Sequence, residues 1–205
     1  MLHGLQVRNI SCDHVSTNSS PTNVCKIFLK FVLNKTPIDG SFFAVGGKGK
    51  KLHIISSSSF TSLREPIEIP DGRVNSIDFI QGNDSIVENG LDNIGMAIGT
   101  ADGLVIVFSN SFEPCLQASR SRSVRCVKYH PTLPILAIGD GHNIITLVDL
   151  VQGKKYAEFN VEGRVNAIDF SPLGDFIAIA SDSGHFSIHD FEVRICECVY
   201  LVHLE

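Results

Sequence analysis

Apolar and polar residues alternate with a period of two through most of this 205-residue chain, and the alternation breaks at short clusters of Gly, Pro, Asp, Asn and Ser. Such alternation marks a half-buried β-strand, because successive side chains point to opposite faces. The clearest stretch is Arg164 to Asp190, RVNAIDFSPLGDFIAIASDSGHFSIHD. It predicts strands at Val165 to Phe170, Phe176 to Ala180 and Phe186 to His189. Ser-Pro-Leu-Gly-Asp and Ser-Asp-Ser-Gly link them. Proline presets φ and glycine accepts positive φ, so both links read as tight hairpins. A piece this small cannot bury both its faces, and it calls for neighbours.

The neighbours are repeats of the same pattern. A gap-free unit of 13 residues recurs four times, opening at Ala44, Ala97, Ala137 and Ala178. Each copy starts Ala, then Val or Ile, then Gly or Ala. Each has apolar residues at its ninth and eleventh positions: Leu52 and Ile54, Val105 and Val107, Ile145 and Leu147, Phe186 and Ile188. Small residues at positions one and three predict a strand crowded by its neighbours. An earlier strand precedes each unit: Arg73 to Phe79 (RVNSIDF), Ser123 to Tyr129 (SVRCVKY), Arg164 to Phe170 (RVNAIDF) and, more loosely, Val24 to Phe31 (VCKIFLKF). A fourth strand follows, clearest at Gly153 to Phe159, and in the last unit at Ile195 to Val202. The later units are spaced at about one propeller-blade length, roughly 40–45 residues. The longer first interval holds a surface loop, Gln81 to Asn93. Repeated four-stranded units without helical periodicity predict an all-β propeller.

Blocks such as SPLGDFIAIASDSGHFSIHD and HPTLPILAIGDGHNIITLVDLVQGK resemble WD40 repeats. The resemblance spans residues 24–205 and is strongest over 73–190. It implies blades at about 24–70, 71–121, 122–163 and 164–205, with residues 1–23 an N-terminal strand (Leu5 to Ile10) and an exposed linker. The chain departs from the family pattern in having no Trp: Ile55-Ser56, Phe108-Ser109, Val148-Asp149 and His189-Asp190 stand where the Trp-Asp pair would. The Gly-His before the first strand is missing too, with Glu162-Gly163 in that region of the last unit. The polar tetrad that locks many such blades is therefore not expected, and apolar packing has to hold them. Propellers close with roughly four to eight blades. The four recognisable here are expected to form part of a larger ring, or one completed by another chain, since an open end exposes apolar faces and strand edges; a closed four-blade ring is the competing reading.

Composition narrows the partners. The chain is 43% apolar and 19% charged with net charge −5, which favours a folded body and gives no general reason to expect nucleic acid. No apolar run of spanning length and no signal-peptide pattern occurs, so a cytoplasmic or nuclear protein is expected. The six scattered cysteines read as reduced structural residues.

Candidate chemistry gathers in the turns. Arg73 and Arg164 hold the same place before the first strands of their blades, and Arg122 lies close to the equivalent place in the third. On the WD40 strand order they ring the mouth of the central channel, where they would meet an acidic protein partner. Lys48, Lys50 and Lys51 lie in the first blade's internal turn, GGKGKK, which lacks the spacing and the helix of a nucleotide-binding loop. Asp102, His142 and His185 sit in the corresponding turns of the other blades. The two histidines, beside Asp140 and Asp182, are in turns that splay apart, so turn stabilisation is expected rather than a metal site. No nucleophile elbow or Ser/Cys-His-Asp set stands out, and no catalytic residue, metal or cofactor is expected. The resemblance implies a non-enzymatic protein-interaction scaffold. The alternatives are a nucleotide-exchange regulator of a small GTPase, working through the Lys48 to Lys51 turn, and an RNA-associated assembly factor.

Overall fold

The computed structural model describes residues 42–70, 72–80, 93–120, 122–191 and 198–203. The expected strands at Leu5 to Ile10 and Val24 to Phe31, the linker between them and nearly all of the loop Gln81 to Asn93 lie outside the described residues. Every regular element among the described residues is a strand, fifteen in all. No helix there is long and apolar enough to cross a membrane.

The strands form four antiparallel meanders. The first contains β1 (Phe42–Gly46), β2 (Lys51–Ser56) and the two-residue β3 (Ile67–Glu68). The second contains β4 (Val74–Phe79), β5 (Ile94–Thr100), β6 (Leu104–Ser109) and β7 (Pro114–Ser119). The third contains β8 (Val124–Tyr129), β9 (Ile135–Asp140), β10 (Ile144–Asp149) and β11 (Lys154–Asn160). The fourth contains β12 (Val165–Phe170), β13 (Phe176–Ser181), β14 (His185–Asp190) and β15 (Cys198–His203). These are the blades of a propeller, each with its strands in chain order. Among the described residues the first blade shows three strands, because the segment expected to open it lies outside them. The fourth blade's outer strand runs one residue past the predicted end.

Three apolar cores join consecutive blades. One unites Ala44, Leu52 and Ile54 of the first blade with Val74, Ile77, Met96 and Ile98 of the second. The next sets Ala97, Val105 and Val107 against Val124, Val127, Leu136 and Ile138. The third sets Ala137, Ile145 and Leu147 against Val165, Ile168, Ile177 and Ile179. The first, third, ninth and eleventh positions of the first three 13-residue units therefore make the face that receives the following blade. Position three lies closest of all. A Cβ added to Gly46 would come 2.7 Å from Val74 Cβ, and one added to Gly139 would come 2.6 Å from Val165 Cγ1. Gly99 meets Val124 in the same way. The blades touch too closely there for a side chain.

Polar bonds fix the same register. The Asn75 side-chain amide donates to the Val124 carbonyl at 2.8 Å. Ser76 Oγ accepts the Val127 N–H at 3.1 Å, and Asp78 Oδ2 accepts the Tyr129 N–H at 2.8 Å. The Lys128 ammonium lies between Asp78 (3.6 Å) on the preceding blade and Asp169 (3.1 Å) on the following one. Burial opposes the charge on Lys128, but the two carboxylates outweigh it and hold its pKa above the ordinary lysine value. These bonds are polar links between consecutive blades.

Candidate partner-binding site

Two sets of turns lie at one end of the blades. Within a blade, the turn between second and third strands bonds back to the residue before the first strand: Ala101 N–H to Arg73 O, Gly141 N–H to Ser123 O and Asp182 N–H to Arg164 O. In the first blade Gly47 O instead accepts from Val74 N–H of the second. The predicted arginines and the predicted turn residues thus share one face.

Their surroundings differ. Arg122 lies 3.7 Å from the buried Asp140 carboxylate, and Arg164 lies 3.5 Å from Asp182. The other oxygen of Asp140 closes its own turn, and that of Asp182 ties its turn to the start of the blade. Asp140 Oδ1 accepts from the backbone N–H groups of His142, Asn143 and Ile144, and Asp182 Oδ1 accepts from that of Arg164. Among the described residues Arg73 donates only to Asn75 Oδ1, at 3.2 Å. Asp102 stands against the backbone of Gly72, immediately before Arg73.

Arg73, Lys48 and Arg125 converge on a cavity of about 260 Å³ whose lining also includes Asn75, Ser123 and Asn166, so that all four blades contribute. Arg125 donates to Asn166 Oδ1 at 2.7 Å. Among the described residues, none of the three cations forms an ion pair and no carboxylate lines the cavity. In a chain of net charge −5 this is a local excess of positive charge. Such a mouth attracts anionic groups and holds them by charge-assisted hydrogen bonds.

Arg125 and Asn166 were not among the residues singled out in the sequence. Asn75, Arg125 and Asn166 are the second residues of β4, β8 and β12, where the register to the neighbouring strand slips at Val74/Ser76, Val124/Cys126 and Val165/Ala167. A bulge leaves its extra residue out of the ladder and re-aims its side chain. The same bulge in three blades turns these side chains into the cavity. The only signal in the sequence is the shared Arg-Val-Asn of the second and fourth blades.

The remaining candidates scatter. Lys51 pairs with Glu68 at 3.2 Å on the flank of the first blade, while Lys50 takes a φ of +54° in the turn. His142 lines a separate cleft with Arg164. His185 Nδ1 lies 2.8 Å from Ser183 Oγ and 3.3 Å from Glu162. No three His, Cys, Asp or Glu residues cluster at metal-binding distance among the described residues.

Comparison with known proteins adds one match. The model of the WD domain, G-beta repeat, matches residues 153–190. The matched span runs from β11 through β14, so the sequence unit starts on the outer strand of one blade and ends on the third strand of the next. A search of the curated proteins returns no match for the chain.

Proposed function

We propose that the chain, which carries a match to the WD40 repeat over residues 153–190, is a non-enzymatic interaction scaffold within a multiprotein assembly of the cytoplasm or nucleus. Residues 1–23 lead into blades at about 24–70, 71–121, 122–163 and 164–205, and a second chain completes the ring. Partners dock on the face that carries the Arg73, Arg122 and Arg164 loops, and an acidic segment enters the cavity. The observation that supports this most is the convergence of Lys48, Arg73 and Arg125 on one concave site lined, among the described residues, by no carboxylate. Arg122 and Arg164, already balanced by aspartates, shape the rim.

The test is binding of an acidic peptide, labelled for fluorescence anisotropy, to the wild type and to Lys48→Glu/Arg73→Glu/Arg125→Glu. A loss of at least about tenfold, steepened at low salt, is expected from reversing three screened charges. Unchanged binding by a normally folded variant would remove the reading. Nucleotide release from a small GTPase, measured with and without Lys48→Ala/Lys50→Ala, separates the scaffold from an exchange regulator. The ion pair of Lys51 with Glu68 already weighs against the latter. An RNA-binding role would show as steep salt dependence on RNA, and the negative net charge weighs against it.

A further inference from the structure

The side chains around the cationic cavity are oriented by their own hydrogen bonds so that they offer it donors. Arg73 Nε donates to Asn75 Oδ1 at 3.2 Å, and Arg125 Nη2 donates to Asn166 Oδ1 at 2.7 Å. The Asn75 amide is fixed from its other end as well. Its Nδ2 donates to the Val124 carbonyl at 2.8 Å and lies 3.4 Å from Ser123 Oγ. A guanidinium can only donate and a carbonyl can only accept, so neither amide can be turned round. Both amide oxygens of the lining therefore face arginines. Ser123 Oγ accepts from Asn75 and keeps its proton for a ligand, while the Gly47 carbonyl accepts the Val74 N–H at 3.2 Å. What these bonds leave for a ligand is the remaining N–H groups of Arg73 and Arg125, the Lys48 ammonium, Asn166 Nδ2 and the Ser123 hydroxyl.

The guanidiniums are also held before any ligand arrives. Each is fixed at one nitrogen by an asparagine that stands at a bulge of an inner strand. Such pre-orientation lowers the cost of ordering a long side chain on binding.

The charge and number of these donors decide which anion fits. A carboxylate has one charge and two oxygens, which a single guanidinium fork satisfies. Two guanidiniums and an ammonium exceed that. A phosphomonoester carries about −1.5 to −2 charge at pH 7 and three strong acceptor oxygens, enough for both forks and the ammonium together. We propose that the cavity of Lys48, Arg73 and Arg125 recognises a phosphorylated serine or threonine of the partner in preference to an aspartate or glutamate. The proposal rests on the reading above that an acidic segment enters this cavity, and it names the group that the segment carries. A peptide fits better than a phosphorylated lipid, because the site is a concavity of about 260 Å³ in a chain whose net charge of −5 opposes approach to an anionic membrane.

Fluorescence anisotropy on the full chain tests this, with one acidic peptide made in three forms that carry phosphoserine, Glu or Ser at the same central place. The phosphoserine form is expected to bind at least about tenfold tighter than the Glu form, and inorganic phosphate to displace it. Arg73→Lys/Arg125→Lys keeps the charge and removes the forks. It is expected to bring the two forms within about twofold of each other, chiefly by weakening the phosphoserine form. A second readout needs no variant. The wild-type preference should shrink between about pH 7.5 and 5, as a phosphate of second pKa about 6 takes up a proton. No histidine or carboxylate lines the cavity among the described residues, so the ligand is the group that titrates. Equal binding of the phosphoserine and Glu forms by the wild type overturns the proposal. So does binding to phosphatidylcholine vesicles that contain phosphatidylinositol phosphate with no preference between the peptides, which would point to a membrane. If the Glu form binds and is lost in the triple charge reversal, the scaffold reading stands while this one falls; if no form binds, both fall.

Discussion

At the scale of single residues, two side chains carry more of the blade-to-blade contact than their size suggests. The Asp78 carboxylate is buried, accepts the Tyr129 N–H at 2.8 Å and lies 3.6 Å from Lys128. Asp78→Ala strands that N–H and removes the buried counter-charge, and is expected to cost about 2–4 kcal/mol in urea denaturation. Asp169→Ala removes the lysine's other partner, whose side chain is 61% exposed, and is expected to cost less than about 1 kcal/mol. Equal losses would show that the two carboxylates do the same work. His130 is the second such residue. Its Nδ1 accepts the N–H groups of Thr132 and Leu133 at 3.1 and 2.9 Å, so the ring proton sits on Nε2 and is donated to Gly174 O at 3.1 Å across the blade boundary. Burial depresses its pKa, only partly offset by that carbonyl and by Asp175. A histidine whose folded pKa lies below its unfolded value stabilises the fold fully above the unfolded value, near 6.5. That stabilisation is lost as pH falls through the unfolded value toward the folded one. The melting temperature of the wild type should therefore fall more steeply between about pH 7 and 5 than that of His130→Gln. Parallel slopes would show that His130 is not the group being titrated.

At the scale of elements, the repeat position decides the outcome of a substitution. Gly139→Ala places a methyl 2.6 Å from Val165 Cγ1 and 2.7 Å from Cys126 Sγ, and overpacking of this kind costs about 1–3 kcal/mol. Ala180→Val enlarges the same position in the fourth blade, which is exposed among the described residues, and is expected to change stability by less than about 0.5 kcal/mol in dilute protein. Denaturant midpoints for the two variants check the contrast, and a large loss from Ala180→Val would mean that the face is covered within one molecule. The same positions show what was legible in advance. The strand at Val165 to Phe170 appears where the alternation put it, and the apolar ninth and eleventh positions became the packed rows, because period-two burial is written directly into residue type. The outer strand of the first blade was not legible: it shrinks to Ile67–Glu68, in a segment with Pro66 at its edge. Nor was the cavity. Its cations reach it through bulges at Asn75, Arg125 and Asn166, and a bulge is a slip between two strands that neither strand's own pattern records. Which arginine finds an aspartate was equally hidden, since Arg122 and Arg164 meet Asp140 and Asp182 only across a closed turn.

At the scale of the whole molecule, stability is carried by cores that each join one blade to the next, as in a linear array of repeats. In such an array an interior unit is held from both sides and a terminal unit from one, so opening free energies grade along the chain. The strands β5, β6 and β9 are buried along almost their whole length, whereas β13 alternates between buried and exposed residues. Amide hydrogen exchange in dilute protein should therefore be slowest in β5, β6 and β9, and faster in β13 and β14 despite their equal ladder of backbone bonds. If another chain completes the ring on the fourth blade, raising its concentration should slow exchange in β13 and β14 while β5 and β6 change little, because binding stabilises only the units it touches by mass action. Uniform exchange across all four blades at every concentration would mean that the blades open together, and the nearest-neighbour account of this fold would fail with it.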